Sequence, residues 1–232
     1  MEEKAPERPQ VSVVLPCRDE AATVEACIAE AKRFLREQAL EGEILVVDNG
    51  SQDGSGQIAA ACGARVLREE RPGYGRALRT GIERARGGVI LMGDCDTTYD
   101  MTELGRLYAP LAEGRYDVMI GDRFAGGIAK GAMPLSHHLG VRALSLLGRL
   151  RFHTDVYDFH CGLRGLTREA ADRLSFTADG MEFATEMIAA AARAGLRIGQ
   201  TPVSLRCCEV PRRSKLRTVR DGLRHLRYIV RG

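Results

Sequence analysis

The segment Leu91-Met92-Gly93-Asp94-Cys95-Asp96 sets two carboxylates two residues apart at the end of an apolar run. Side chains alternate along an extended chain, so both acids can point to one side and share a ligand. A carboxylate pair suits a hard divalent cation, Mg2+ or Mn2+, which fills its remaining positions with water and phosphate oxygens. Asp96 is the stronger candidate for a direct metal ligand. Asp94 either joins it or accepts from the hydroxyls of a ribose, and a bare solvated turn is the plain alternative for both. Asp48 closes a second apolar run, Leu45-Val46-Val47, and Asp122-Arg123 follow a third, Asp117–Ile120. Acids at the carboxyl ends of strands in an open α/β sheet stand where such sheets bind ligands. The pattern points to a metal-assisted enzyme acting on a nucleoside-diphosphate substrate. Asp48 could accept the ring N–H of uracil or guanine, its structural alternative being an Asx turn. Pro16, Arg18 and Glu20 could add backbone and polar contacts to the same nucleoside.

These side chains need a scaffold that brings strand ends together. Val11–Pro16 reads as a buried first strand closed by its proline. A helix follows over Asp19–Glu37, with Val24, Ile28, Ala31 and Leu35 at spacings of three and four. Glu43–Val47, Arg65–Leu67 and Val89–Met92 read as strands, separated by helices over Gln57–Cys62 and Arg76–Arg86. Alternation of this kind predicts an α/β fold with a mostly parallel central sheet flanked by helices. Further on the pattern predicts a helix over Met101–Leu111, the strand Asp117–Ile120, a glycine-rich mobile stretch over Phe124–Leu135 and a helix over Val141–Leu150. A polar cluster over Asp155–Arg164, a helix over Gly180–Ala194 and a strand over Arg197–Leu205 complete the body. The expected organisation is a polar tail (1–10), one catalytic domain (11–211) and a basic amphipathic segment (212–232).

Several functions are disfavoured by what is present. The turn Pro16-Cys17-Arg18-Asp19-Glu20 occupies the place of a dinucleotide-binding glycine loop, and GxxxxGK[ST] does not occur. Net charge is only +3 over 232 residues, which makes no case for nucleic acid. The seven cysteines include no CxxC pair, so the expectation is reduced thiols in a cytoplasmic protein. The N-terminal residues lack a signal-peptide core and no run has the ~20 apolar residues of a membrane span. Peripheral membrane contact and homo-oligomer formation are left open.

Taken in order, Leu15-Pro16-Cys17-Arg18-Asp19-Glu20, Val47-Asp48-Asn49-Gly50-Ser51, Gly93-Asp94-Cys95-Asp96 and Gly121-Asp122-Arg123 resemble family 2 glycosyltransferases of the GT-A fold. The likeness continues through Asp158-Phe159-His160-Cys161-Gly162-Leu163-Arg164, Gly180–Met187 and Ser214-Lys215-Leu216-Arg217. It is nearest to the dolichol-phosphate mannosyltransferase and polyprenyl-phosphate glycosyltransferase branch. The resemblance implies that Pro16, Glu20 and Asp48 contact the nucleoside, that Asp94 and Asp96 bind nucleotide and Mg2+ or Mn2+, and that Arg123 lies near a phosphate. Asp158 becomes a candidate base and Glu182, with Glu186, the acidic helix near the sugar; Arg213, Lys215 and Arg217 become candidates for gripping phosphate. The implied reaction is sugar transfer from a UDP- or GDP-sugar with inversion. This chain departs from the branch at Glu209-Val210-Pro211-Arg212-Arg213 and carries no membrane-spanning continuation, which favours a soluble small-molecule acceptor over a polyprenyl phosphate.

Structural roles compete with the chemical ones. Asp158 could be a buried ion-pair partner. Glu182 and Glu186 are one helical turn apart, so one could orient sugar hydroxyls while the other is an ordinary surface charge. His137 and His138 read as loop residues, and the histidines lack zinc spacing. Leu216, Val219, Leu223, Leu226 and Val230 form a helical apolar stripe, packed on the body or lying at a membrane surface with Arg217, Arg220, Arg224 and Arg227. A sugar-phosphate nucleotidyltransferase and a non-catalytic nucleotide-sugar-binding protein are the alternative functions.

Overall fold

A computed structural model describes residues 8–208, Val210 and residues 218–231. Arg213, Lys215, Leu216 and Arg217, the candidate phosphate-gripping segment, lie outside the described residues. The first half alternates as the sequence predicts: β1 (Val11–Cys17), α1 (Val24–Glu37), β2 (Gly42–Asp48), α2 (Ser55–Ala61), β3 (Arg65–Arg68), α3 (Tyr74–Arg84) and β4 (Val89–Met92). The second half is α4 (Leu104–Ala112), β5 (Val118–Asp122), the single turn α5 (Arg123–Gly126), α6 (Leu135–Phe152), β6 (Arg164–Thr167), α7 (Arg168–Arg173), α8 (Phe183–Arg193), β7 (Ile198–Pro202) and α9 (Thr218–Arg231).

The seven strands form one mixed sheet in the order β3-β2-β1-β4-β6-β5-β7. Four pairings are parallel, and β6 runs antiparallel to both of its neighbours, β4 and β5. Val13, Val14, Leu15, Leu45, Val46 and Val47 are all wholly buried, as strands covered on both faces require.

The expected closing of β1 at Pro16 is corrected: the strand continues to Cys17, in register with β2 as far as Cys17 opposite Asp48. β1 pairs with β4 only over Val11–Val14, so Pro16, which has no N–H to give, sits where β1 has one neighbour instead of two. Beyond that point β1 and β4 part, and the crevice between them is the switch point of the sheet.

Other expectations also shift. α1 starts at Val24, because residues 19–23 form a rim loop. The glycine-rich stretch is tethered in part, since Ile128 bridges Leu205. α6 begins at Leu135, six residues earlier than predicted, so His137 and His138 lie on a helix. β6 and α7 had no sequence signal: four strand residues beginning with arginine and glycine read as the tail of a polar cluster.

α9 packs on α6 and α8. It does so through Asp221, His225 and Ile229, each 4–6% exposed, while Val219, Leu223 and Val230 are 60–76% exposed. The helix meets the body, and its apolar stripe faces away. His225 Nδ1 lies 2.8 Å from Thr185 Oγ on α8, and its ring stands edge-on to His160 with centroids 4.3 Å apart.

Burial holds His225 down near 4 and His160 well below the usual 6.5. Between those values the unfolded chain binds protons that the folded one refuses, so this pair's contribution to stability is full above about 6.5 and is lost as pH falls toward 4. Each histidine is expected to give a slope of up to about 1.4 kcal/mol per pH unit in that window. Asp94, raised to about 6, acts in the opposite sense at the acid end. Denaturant unfolding of wild type and His225→Gln from pH 7 to pH 4 isolates the histidine: the variant should show the shallower slope, and parallel slopes would disprove the assignment.

Candidate active site

The crevice rim is built from loops that clasp each other. Asp19 N–H donates to Ser51 Oγ at 3.0 Å, and Glu20 N–H donates to Ser55 Oγ at 2.8 Å. Asp53 accepts from Ala21 N–H at 2.8 Å and also from Ser55 N–H, so Asp53 makes the helix-starting turn. Asn49 holds the next loop: its amide donates to the carbonyls of Glu69 and Arg71, and its Oδ1 accepts from Gly73 N–H at 2.7 Å. Asn49 is a positioning residue that its surface-turn context had hidden.

Asp48 stands half-buried at the end of β2, and its Oδ1 accepts from Ser51 N–H at 2.9 Å. A side chain at Gly56 would come within 2.8 Å of Asp48 Oδ2, so glycine there lets the carboxylate lie against the start of α2. Glu20 is buried with its carboxylate 3.2 Å from Thr23 Oγ, whose hydroxyl donates to Cys95 O at 2.6 Å. Pro16 is partly exposed, and Arg18 is exposed on the rim.

β4 ends at Met92 and delivers the acid pair into the crevice. Tyr74 Oη, from the start of α3, donates to Asp94 Oδ1 at 2.9 Å. On the other side a Cβ at Gly162 would meet Asp94 Oδ2 at 2.3 Å, so only glycine allows the 158–164 segment this close. Burial, and then the neighbouring Asp96 charge, raise Asp94 to about 6. Asp96 Oδ1 accepts from Thr98 N–H at 3.0 Å across a turn in which Thr97 has a φ of 61°.

Two crowded carboxylates of this kind fit a divalent cation, whose charge would favour both ionised forms. Among the described residues no group of three or more His, Cys, Asp or Glu is arranged to hold a metal ion. Among these residues the carboxylate pair stands without further protein ligands of those types grouped around it. One or two carboxylates completed by substrate phosphates is the usual way such ions are bound with a nucleotide.

Asp122 caps the turn after β5, accepting from Phe124 and Ala125 N–H groups, and so aims Arg123 inward. Arg123 meets Asp158 in a two-pronged contact, Nε to Oδ2 at 2.7 Å and Nη2 to Oδ1 at 2.8 Å, with Asp158 wholly buried. Both oxygens of Asp158 thus face the guanidinium, and Oδ1 also accepts from His160 N–H at 3.2 Å. Arg164, 1% exposed, gives its guanidinium to the carbonyls of Phe159, Cys161 and Ala184. A second buried cation therefore backs the crevice. Tyr74 carried no sequence signal beyond lying next to a loop, and Arg164 closed a motif of the resemblance without a role assigned to it.

Glu182 and Glu186 separate in role. Glu186 is 3% exposed and accepts from Thr177 N–H and Oγ and from Ala178 N–H. It anchors the loop before α8, a correction to both the surface-charge and the sugar-facing expectation. Glu182 Oε1 accepts from Gly180 N–H at 3.3 Å, whereas its enclosed Oε2 makes no hydrogen bond and has Arg224 Nη1 3.8 Å away.

The sequence profile described as glycosyl transferase family 2 matches residues 12–175. This chain belongs to that family. The α/β sheet with its strand-end acids is the GT-A fold of its nucleotide-sugar transferases. Among family relatives, the low-salt glycan biosynthesis hexosyltransferase Agl6 of Haloferax volcanii is 36% identical over 225 residues, covering 96% of this chain and 53% of Agl6. The chain thus spans about half of that relative's length. A dolichyl-phosphate hexose transferase of the same organism is 30% identical, with 84% of this chain and 82% of that protein covered. A crystal structure of glucosyl-3-phosphoglycerate synthase from Mycobacterium tuberculosis in complex with UDP superposes with a TM-score of 0.74 at 25% identity, over 95% of this chain and 80% of that one.

Proposed function

We propose that this chain transfers a hexosyl or N-acetylhexosaminyl group from a UDP-sugar to a soluble small-molecule acceptor, with Mg2+ or Mn2+ as cofactor and with inversion at the anomeric carbon. The observation that carries the reading is the Asp94–Asp96 pair, delivered by β4 into the crevice and crowded enough to raise Asp94. UDP as the nucleotide is supported by the UDP complex of the synthase with the same fold; GDP is the alternative. Asp96 and Asp94 would hold the metal, which when bound supplies Lewis-acid neutralisation of charge on the leaving diphosphate. Asp48 would accept the ring N–H of the base at the β2 end, beside Pro16, Arg18 and Glu20.

Asp158 and Arg123 take revised roles. A carboxylate whose two oxygens already face a guanidinium is poorly disposed to take a proton, so Asp158 acts as the positioning residue that holds Arg123. Glu182, whose enclosed Oε2 makes no hydrogen bond and faces Arg224 through a single 3.8 Å contact where Asp158 is gripped at two points, becomes the base for a hydroxyl acceptor once it turns from Arg224. Glu182→Gln should then lower kcat by about 10²–10⁴-fold with little change in the donor KM. A specific observation favours a second reading, transfer to a polyprenyl phosphate: the apolar faces of α6 and α9 turn outward. The name of the dolichyl-phosphate relative agrees with it. A phosphate nucleophile is already ionised, so on that reading Glu182→Gln leaves kcat nearly intact.

The test is UDP release from UDP-glucose with Mn2+, supplied in turn with a phosphorylated hydroxy acid and with a short-chain polyprenyl phosphate. Acceptor-dependent UDP release that EDTA abolishes is expected, and the NMR coupling of the product's anomeric proton reads inversion. Pyrophosphate release from a nucleoside triphosphate and a sugar phosphate would make the chain a nucleotidyltransferase instead. Tight binding of the nucleotide sugar with no turnover would make it a binding protein.

A further inference from the structure

All large apolar side chains that stand markedly exposed among the described residues lie on α6, on α9 or at Tyr157 just after α6. On α6, Leu135, Leu139, Leu146 and Leu150 are 52–74% exposed and follow one stripe. α6 instead turns Ser145, Gly148 and Phe152 to the body, and Gly148 lets the Phe159 ring come close. α9 repeats the inversion, with the less exposed Leu226 joining Val219, Leu223 and Val230 on the outward side. The two helices pack on each other, so their stripes lie on adjoining elements. An exposed patch of this extent marks an interaction surface.

We infer that the outer face of α6 and α9 docks on an anionic lipid bilayer. Charge decides the occupant. α6 carries Arg142, Arg149 and Arg151 with no acid, and α9 carries four arginines with one acid, the buried Asp221. A second copy seated on the same face would set arginine against arginine, whereas lipid phosphates complement them. Leucines flanked by arginines on a helix lying flat are the composition of interfacial binding. The cavity of about 410 Å³ lined by Asp122, Phe124, Arg142, Leu146, Arg149 and Tyr157 adjoins this face. Docking therefore places the Arg123 end of the crevice next to the headgroups. The inference rests on neither acceptor reading, because a soluble acceptor can also be met at a membrane surface.

Vesicle flotation tests it with no donor or acceptor present, so its outcome is separate from that of the transfer assay. The full chain should float with phosphatidylcholine vesicles carrying about a third phosphatidylglycerol, and severalfold less with phosphatidylcholine alone. Leu146→Asp combined with Leu223→Asp should lower the partition coefficient at least about tenfold. Both positions are exposed, so the melting midpoint should stay at the wild-type value. Absence of flotation with anionic vesicles would overturn the inference. So would a stable dimer in sedimentation that the same double variant splits, since the face would then belong to a second copy.

Discussion

Asp96→Asn is expected to lower metal-dependent sugar transfer by about a hundredfold or more, the scale of the several kcal/mol that a bound cation contributes to leaving-group stabilisation. The asparagine keeps an oxygen to accept from Thr98 N–H, so the turn after β4 survives. It also removes the like charge that helps raise Asp94, which lowers the strain of two neighbouring acids. The melting midpoint should therefore hold or rise slightly while the metal affinity falls. Calorimetric Mn2+ titration and turnover measured on the same preparation check both halves. Wild-type turnover at saturating Mn2+ would remove Asp96 from the metal site.

The Arg123–Asp158 pair gives the second large effect, and here it falls on stability. Asp158→Ala strands a guanidinium that is only 7% exposed, and breaking a buried pair from one side costs about 3–5 kcal/mol. For a chain of this length that is a fall in Tm of roughly 6–20 °C. Asp158→Asn keeps one carbonyl oxygen for Arg123 and should fall between alanine and wild type. Arg123→Met combined with Asp158→Leu removes both charges and should recover much of the lost stability without recovering transfer. If Asp158 were instead the base, the asparagine variant would lose nearly all turnover at temperatures where it is fully folded, and Glu182→Gln would leave kcat intact. A positioning role predicts the reverse, with Glu182→Gln giving the larger loss of kcat.

The Asp48, Asp94 and Asp96 side of the crevice was legible in the sequence because its signals are local. β1, β2 and β4 are continuous apolar runs, each followed at once by the residues that line the crevice. In a parallel sheet the ends of neighbouring strands are brought together by topology alone. The Arg123–Asp158 side of the crevice depends on partners far apart in the chain. Asp158 reaches Arg123 across 35 residues, and Arg164 ties the carbonyls of Phe159 and Cys161 just before it to that of Ala184, 20 residues further on. β6, four residues long and inserted antiparallel between β4 and β5, has no periodicity to announce it.

The sequence by itself determined the family, the alternating α/β scaffold and the strand-end acids, since each is written in residue type and short spacing. Only the tertiary structure decided which carboxylates are already committed: Asp158 to Arg123, Glu186 to the loop before α8, and Glu182 more loosely, to Gly180 N–H through one oxygen with Arg224 3.8 Å from the other. It also decided which way the terminal helix faces. The spacing of Val219, Leu223, Leu226 and Val230 shows an apolar stripe but cannot say what it meets. Asp221 and His225 find a buried place on the body beside Thr185 and His160, and one rigid helix cannot present two opposed faces to the same surface. The apolar stripe is therefore left pointing outward.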